Sequence, residues 1–257
     1  RQFAGLRALA FYQMTHAGGK LNFMGNEIGQ FIEWRYYEGI EYFLAEEYES
    51  HRDQQVFIEA LNKFYNKNAA LWQRGYESGG FEWIDADNSD QSIVSFVRRG
   101  DDPADDLVIL INFDVNARED FRFGVPEWGV YAEKFNSDAA EFGGSDVLNE
   151  GRLRCEDVAW NGREQSIVLR VPPLAGIVLK KVAKQARPKK PVAKTTSAKA
   201  PTASAKKPAA KATAKKASAS KPVAKAPAKK AATAKKSAAK AKPGASKNAV
   251  KVSSGTK

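Results

Sequence analysis

Residues 81–113 read FEWIDADNSDQSIVSFVRRGDDPADDLVILINF. Phe81–Ile84, Ser92–Arg98 and Leu107–Phe113 have the period-two or continuous apolar character of strands. Asp85–Asn88 and Gly100–Pro103 supply turn residues between them. The pattern continues downstream in Phe121–Phe123, Gly129–Phe135, Ser166–Val171 and Leu174–Leu179. Val125-Pro126 and Asn161-Gly162-Arg163 punctuate it. Short strands at this spacing predict an antiparallel β-sandwich or barrel.

Upstream of Gly79-Gly80 the period is helical. Leu6, Leu9, Ala10 and Gln13-Met14 mark a first helix that stops before Gly18-Gly19. Lys20–Met24 (KLNFM) reads as a short buried strand, followed by the polar turn Gly25-Asn26-Glu27. Helix, glycine turn, strand and polar residues make an α/β pattern, in which strand ends carry function. Ile28–Arg52, rich in aromatics and carboxylates, is too long for a plain connector. Asp53 is placed to cap a second amphipathic helix carrying Val56, Phe57, Ala60, Leu61, Phe64 and Tyr65 and ending near Leu71-Trp72.

The charge is divided. Of 41 basic side chains, 22 lie in Ala183–Lys257, which has none of the 30 acidic ones. That segment therefore carries +22 and the rest of the chain −11. Ala183–Lys257 is almost entirely Lys, Ala, Pro, Ser and Thr and cannot offset roughly 1–2 kcal/mol per residue of ordering entropy, so it is expected to be disordered. Its charge density suits polyanions such as nucleic acid in a salt-sensitive, sequence-blind way, without aromatics to stack on bases. The domain expectation is 1–78 (α/β), 79–182 (all-β) and 183–257 (tail). No apolar run is long enough to span a bilayer, so no membrane association is expected. The lone Cys155 cannot form an intrachain disulfide, which fits a cytoplasmic setting. The chain opens at Arg1, already in helical pattern, which leads us to expect a missing N-terminal part.

KLNFMGNEIGQFIEW (Lys20–Trp34) resembles the eighth barrel strand and following loop of bacterial 1,4-α-glucan (glycogen) branching enzymes, in the α-amylase superfamily. Phe81–Arg99 resembles the opening strands of that family's C-terminal β-domain. Val130–Val147, with Asn-Ser-Asp and Gly-Gly-Ser, and Leu169–Lys181, with Pro-Pro-Leu-Ala, resemble later parts of it. The resemblance covers about residues 1–181. It implies the C-terminal part of a (β/α)8 TIM barrel followed by the all-β domain, action on α-glucan or glycogen, and no cofactor. It also implies a retaining double displacement by two carboxylates roughly 5–5.5 Å apart. These carboxylates, and a third aspartate in a His-Asp-Glu segment, belong to barrel strands four to seven. Neither His16 nor His51 sits in such a segment, so no catalytic residue is assigned in this chain.

The candidate substrate-contact residues are Asn26, Glu27, Glu33 and Trp34. An indole can cover the apolar face of a glucose ring while carboxylates and amides bond its hydroxyls. The bland alternatives are strand capping for Asn26 and Glu27, and rim packing for Trp34. Glu38, Glu41, Glu46, Glu47 and Glu49 are irregularly spaced and read as a solvated face rather than a metal site. Trp83, Trp128 and Trp160 are read as β-domain core. An incomplete barrel also predicts poor order or aggregation over the first 75 residues.

Overall fold

Continuous apolar runs in antiparallel strands require cover on both faces. The strand Leu107–Asn112 (β3; LVILIN) has all six residues buried, and the computed structural model, which describes residues 1–188, shows how. A six-stranded antiparallel sheet has the order β1-β2-β3-β8-β5-β6, and β4 pairs with β7 in a second sheet. The other strands are Phe81–Asn88 (β1), Ile93–Arg98 (β2), Arg118–Gly124 (β4), Val130–Asn136 (β5), Leu153–Arg154 (β6), Ser166–Val171 (β7) and Ala175–Ala183 (β8).

Register sorts the side chains into two cores. Phe96 pairs with Ile109, Ile109 with Val178, and Val178 with Phe135. This row faces helices α1 (Gln2–Thr15) and α3 (Glu49–Lys67), packing with Phe11, Phe57 and Leu61. Val108, Leu110, Ile177 and Leu179 point the other way, against Phe123, Ile167, Leu169 and Val171 of the β4–β7 sheet. The sandwich thus has three layers: two-stranded sheet, six-stranded sheet, helices.

The strands form where expected, but β1 runs on to Asn88 through the residues read as a turn, β4 begins at Arg118 rather than Phe121, and two further differences stand out. β6 has only two residues and no pattern of its own in the sequence. β8 runs to Ala183, past the expected Leu179, because it ladders with β5 to the Val130–Ala183 pair. Ordered contacts go further. Gln185 donates to the Cys155 carbonyl at 2.7 Å, and Arg187 lies over the Trp128 ring, 5.1 Å from its centroid. The expectation of disorder for the lysine-rich tail lies outside the described residues from position 189 onward.

Three readings of the first 78 residues need correction. KLNFM is not a strand. Leu21 is 85% exposed and Phe23 53%, and no strand of the described residues pairs with 20–24. A lone extended segment cannot hold strand form without a ladder to satisfy its backbone. The second helix begins at Glu49 after Tyr48, not at an Asp53 cap, and Asp53 lies inside it. In α1 the buried stripe is Arg7, Ala8, Ala10, Phe11 and Thr15, whereas Leu9 is 57% exposed. The helix is apolar nearly all round, so periodicity alone did not select the face; the sheet did. The segment 28–52 also contains a short helix, α2 (Phe43–Glu47). No described helix is long and apolar enough to cross a membrane.

Candidate functional site

The turn that carries two of the expected contact residues is built from short local bonds. Asn26 N–H donates to the Phe23 carbonyl at 3.1 Å, and Gln30 N–H to the Gly25 carbonyl at 3.1 Å. Ile28, fully buried, anchors it. His51 of α3 holds its carbonyl through Nδ1 at 2.8 Å, which makes Nδ1 the protonated nitrogen. Phe3, Phe31 and Tyr48 pack edge-on around the His51 ring at 4.9, 5.1 and 6.0 Å.

Glu27 is fully engaged. Its Oε2 accepts from Gly25 N–H at 2.9 Å and its Oε1 from the Tyr42 hydroxyl at 2.9 Å. That hydrogen bond, with the carboxylate's charge, pushes the Tyr42 phenol above its ordinary range. Glu27 therefore ties two arms of the loop together. Asn26 is exposed and lines a hollow of ≈ 260 Å³ with Gln2, Phe3, Leu6, Gln30 and Phe31. Glu33 is exposed, and neighbouring Trp34 is half-buried, meeting Phe23 edge-on at 6.5 Å. The structure brings Asn26 and Glu27 together on one turn. Glu33 and Trp34 lie on the stretch held to Phe23. The amide, carboxylates and indole of this set offer hydrogen bonding and ring stacking.

The Asn-Ser-Asp and Gly-Gly-Ser segments form a structural staple. Asp138, almost fully buried, accepts from Ser145 N–H at 3.0 Å, Ser145 Oγ at 3.1 Å and Val147 N–H at 3.1 Å. Asn136 Oδ1 takes the Asp138 N–H at 2.8 Å, and Ser137 Oγ takes the Gly176 N–H at 2.9 Å. At Gly144 any Cβ would lie 2.0 Å from the Asp138 carbonyl oxygen, so the second glycine permits the close pass of the returning loop. Arg7 of α1 completes the staple, donating Nε to the Ser137 carbonyl at 3.1 Å. Burial pulls its guanidinium below the ordinary range, and the charges of Asp138 and Asp53 oppose that shift.

Arg98, fully buried at the end of β2, went unnoticed in the sequence. It donates to four backbone carbonyls: Thr15 and His16 at 2.8 Å each, Leu71 at 3.0 Å and Gly80 at 3.3 Å. The first two end α1, where a cation is favoured by the helix dipole. The only sequence signal for Arg7 and Arg98 was an arginine inside an otherwise apolar element. Among the described residues no three His, Cys, Asp or Glu side chains come together as a metal cluster would require.

Residues 83–182 match the family described as the alpha amylase C-terminal all-beta domain. The match covers strands β2 to β7 and most of β1 and β8. Beyond it, 181 residues are 45% identical to the 1,4-alpha-glucan branching enzyme GlgB 2 of Clostridium perfringens strain 13, covering 70% of this chain and 27% of that one. The GlgB of Halothermothrix orenii is 44% identical over 180 residues, covering 70% and 28%. That of Francisella tularensis subsp. novicida is 45% identical over 179 residues, with the same coverage. The likeness to these GlgB sequences is thus longer than the β-domain match alone. It spans about a quarter of the length of the curated relatives it matches.

Proposed function

We propose that this chain is the C-terminal segment of a 1,4-α-glucan branching enzyme. In this reading an α-1,4 glucan is cleaved with retention through a covalent glycosyl-enzyme, and a glucose 6-hydroxyl takes up the segment as an α-1,6 branch. That chemistry needs paired carboxylates roughly 5–5.5 Å apart, which this reading assigns to the part of the relatives that residues 1–181 do not match. Residues 1–78 are then the last portion of a (β/α)8 barrel, in which the extended stretch 20–24 would gain the neighbouring strand it lacks among the described residues. Asn26, Glu27, Glu33 and Trp34 face the glucan, with Glu27 acting through the loop it fastens.

The observation that carries the reading is 45% identity over 181 residues, a longer match than the β-domain alone. The exposed Leu9, Leu21 and Phe23 also favour it, being apolar side chains that a completed barrel would cover. To test it, residues 1–181 replace the matching segment of the Clostridium perfringens enzyme. The expected result is restored formation of α-1,6 linkages by the chimera, read by debranching of treated amylose, and none by this chain alone. A folded chimera without branching activity, or branching by the isolated chain, defeats the proposal.

A further inference from the structure

We propose that Trp160 is the centre of a second carbohydrate-binding surface, on the β-domain and away from the loop of Asn26 and Trp34. The β-domain tryptophans separate into two kinds. Trp83, 42% exposed and so not the core residue expected, has its ring engaged edge-on by Phe81 and Phe96, at 4.9 and 5.6 Å. Trp128 donates its indole N–H to the Gln185 carbonyl at 2.9 Å and lies under Arg187. Trp160 is 47% exposed and borders two hollows of ≈ 540 and ≈ 550 Å³. Among the described residues no ring or cation stacks on it.

The backbone that carries the indole is fixed. Trp160 and Arg163 bond through their backbones at 3.0 and 2.8 Å, closing a two-residue hairpin. Its central residues, Asn161 (φ 45°) and Gly162 (φ 71°), are both left-handed, as a type I′ turn requires. Asn161 Oδ1 accepts the Gly124 N–H at 3.0 Å, and its Nδ2 donates to Asp85 at 3.0 Å. These bonds dock the hairpin against β4 and β1, so the backbone that presents the ring has little entropy left to lose.

The first hollow sets polar groups beside the ring: Asp85, Gln91, Arg118 and Asp120. Gln91 uses its Oε1 to accept from Asn88 at 2.9 Å, and Arg118 pairs through Nη2 with Asp114, its buried Nε having no partner among the described residues. A flat aromatic face ringed by amide, carboxylate and guanidinium groups fits a neutral polyhydroxylated ring, with its apolar face on the indole and its hydroxyls on the rim. Because two hollows border Trp160, a curved chain can bend over the ring and reach into each. The α-1,4 linkage of that chain rests on the branching-enzyme reading; the sugar-binding surface rests on the geometry alone.

The test is titration of the full 257-residue chain with maltoheptaose by calorimetry, with cellohexaose as the β-linked control. Wild type should bind maltoheptaose saturably and cellohexaose more weakly. Trp160→Ala should weaken binding roughly tenfold or more, the loss of one stacked face. Trp160→Phe should fall between, and Trp72→Ala, a change at an exposed tryptophan outside the hollows, should bind as wild type. Equal Tm values establish that the variants are folded. Absence of saturable binding by wild type, undiminished binding by Trp160→Ala, or equal binding of the two oligosaccharides overturns the proposal. Each readout is binding alone, so an inactive chimera and a failed titration are separate results.

Discussion

Two side chains show how much single residues decide here. Arg98 donates to four carbonyls that end α1, the turn at Leu71 and the entry to β1. Replacing it with methionine keeps the aliphatic length but leaves buried acceptors without donors. Arg98→Met should cost about 3 kcal/mol or more of stability in urea unfolding; a loss below about 1 kcal/mol would mean water replaces the guanidinium. Lys20, which donates to the His16 carbonyl and lies 5.8 Å from the Tyr65 ring centroid, has its pKa lowered from 10.5 to about 8 by burial and then by the Arg98 charge. Between those two values the unfolded chain holds a proton that the folded chain has released. Stability therefore rises with pH across that window, and below it Lys20 exacts a constant penalty. Compared with Lys20→Met, wild type should gain urea resistance between pH 7.5 and pH 10. Parallel pH profiles for the two proteins would remove Lys20 from the account.

At the scale of elements, the contact that matters most is α1 on the sheet. It depends on Gly176 of β8, where an added Cβ would sit 2.1 Å from the Phe11 ring. Phe11 is fully buried and stacks with Phe135 at 6.1 Å. Gly176→Ala must push the ring or the helix away, an overpacking cost of about 1–3 kcal/mol. Urea unfolding of that variant measures it, and restoration by Gly176→Ala paired with Phe11→Leu would locate the strain at this contact. Because Ser137 Oγ takes the Gly176 N–H, the same strand position also ends the Asn-Ser-Asp staple. The helix and the Asn-Ser-Asp loop are thus fastened to one point of β8.

For the whole molecule, the two cores and the loop before them have opposite characters. The β-domain buries its apolar residues on both sheet faces, whereas the segment from Leu21 to Tyr48 exposes Leu21, Phe23, Phe31, Tyr36 and Tyr37 by more than half. Apolar surface on this scale marks an interaction site or an association hazard. The isolated chain should self-associate with rising concentration in size-exclusion chromatography and bind a hydrophobic dye. Phe31→Lys together with Leu21→Lys should reduce both effects. A chain that stays monomeric and dye-free at all concentrations argues that these side chains find cover of their own.

Strands could be read from the sequence because half-buried and doubly buried strands leave period-two or continuous apolar runs, as in SFVR and LVILIN. The family likeness was legible because Asn-Ser-Asp, Gly-Gly-Ser and Pro-Pro-Leu-Ala are tied to backbone geometry that few other residues permit. The sequence by itself thus determined the layered β-domain, the helical character of α1 and α3, and the split between an acidic body and a basic end. Only the tertiary structure decided which face of α1 is buried, that KLNFM stays unpaired, that Glu27 fastens a loop, and that Trp160 stands outside the core. The reason is physical: periodicity records how much of a segment is buried, but the partner that buries it comes from elsewhere in the chain. A helix apolar on every side, a strand without neighbours and a tryptophan on a tight turn carry no local mark of where they will lie.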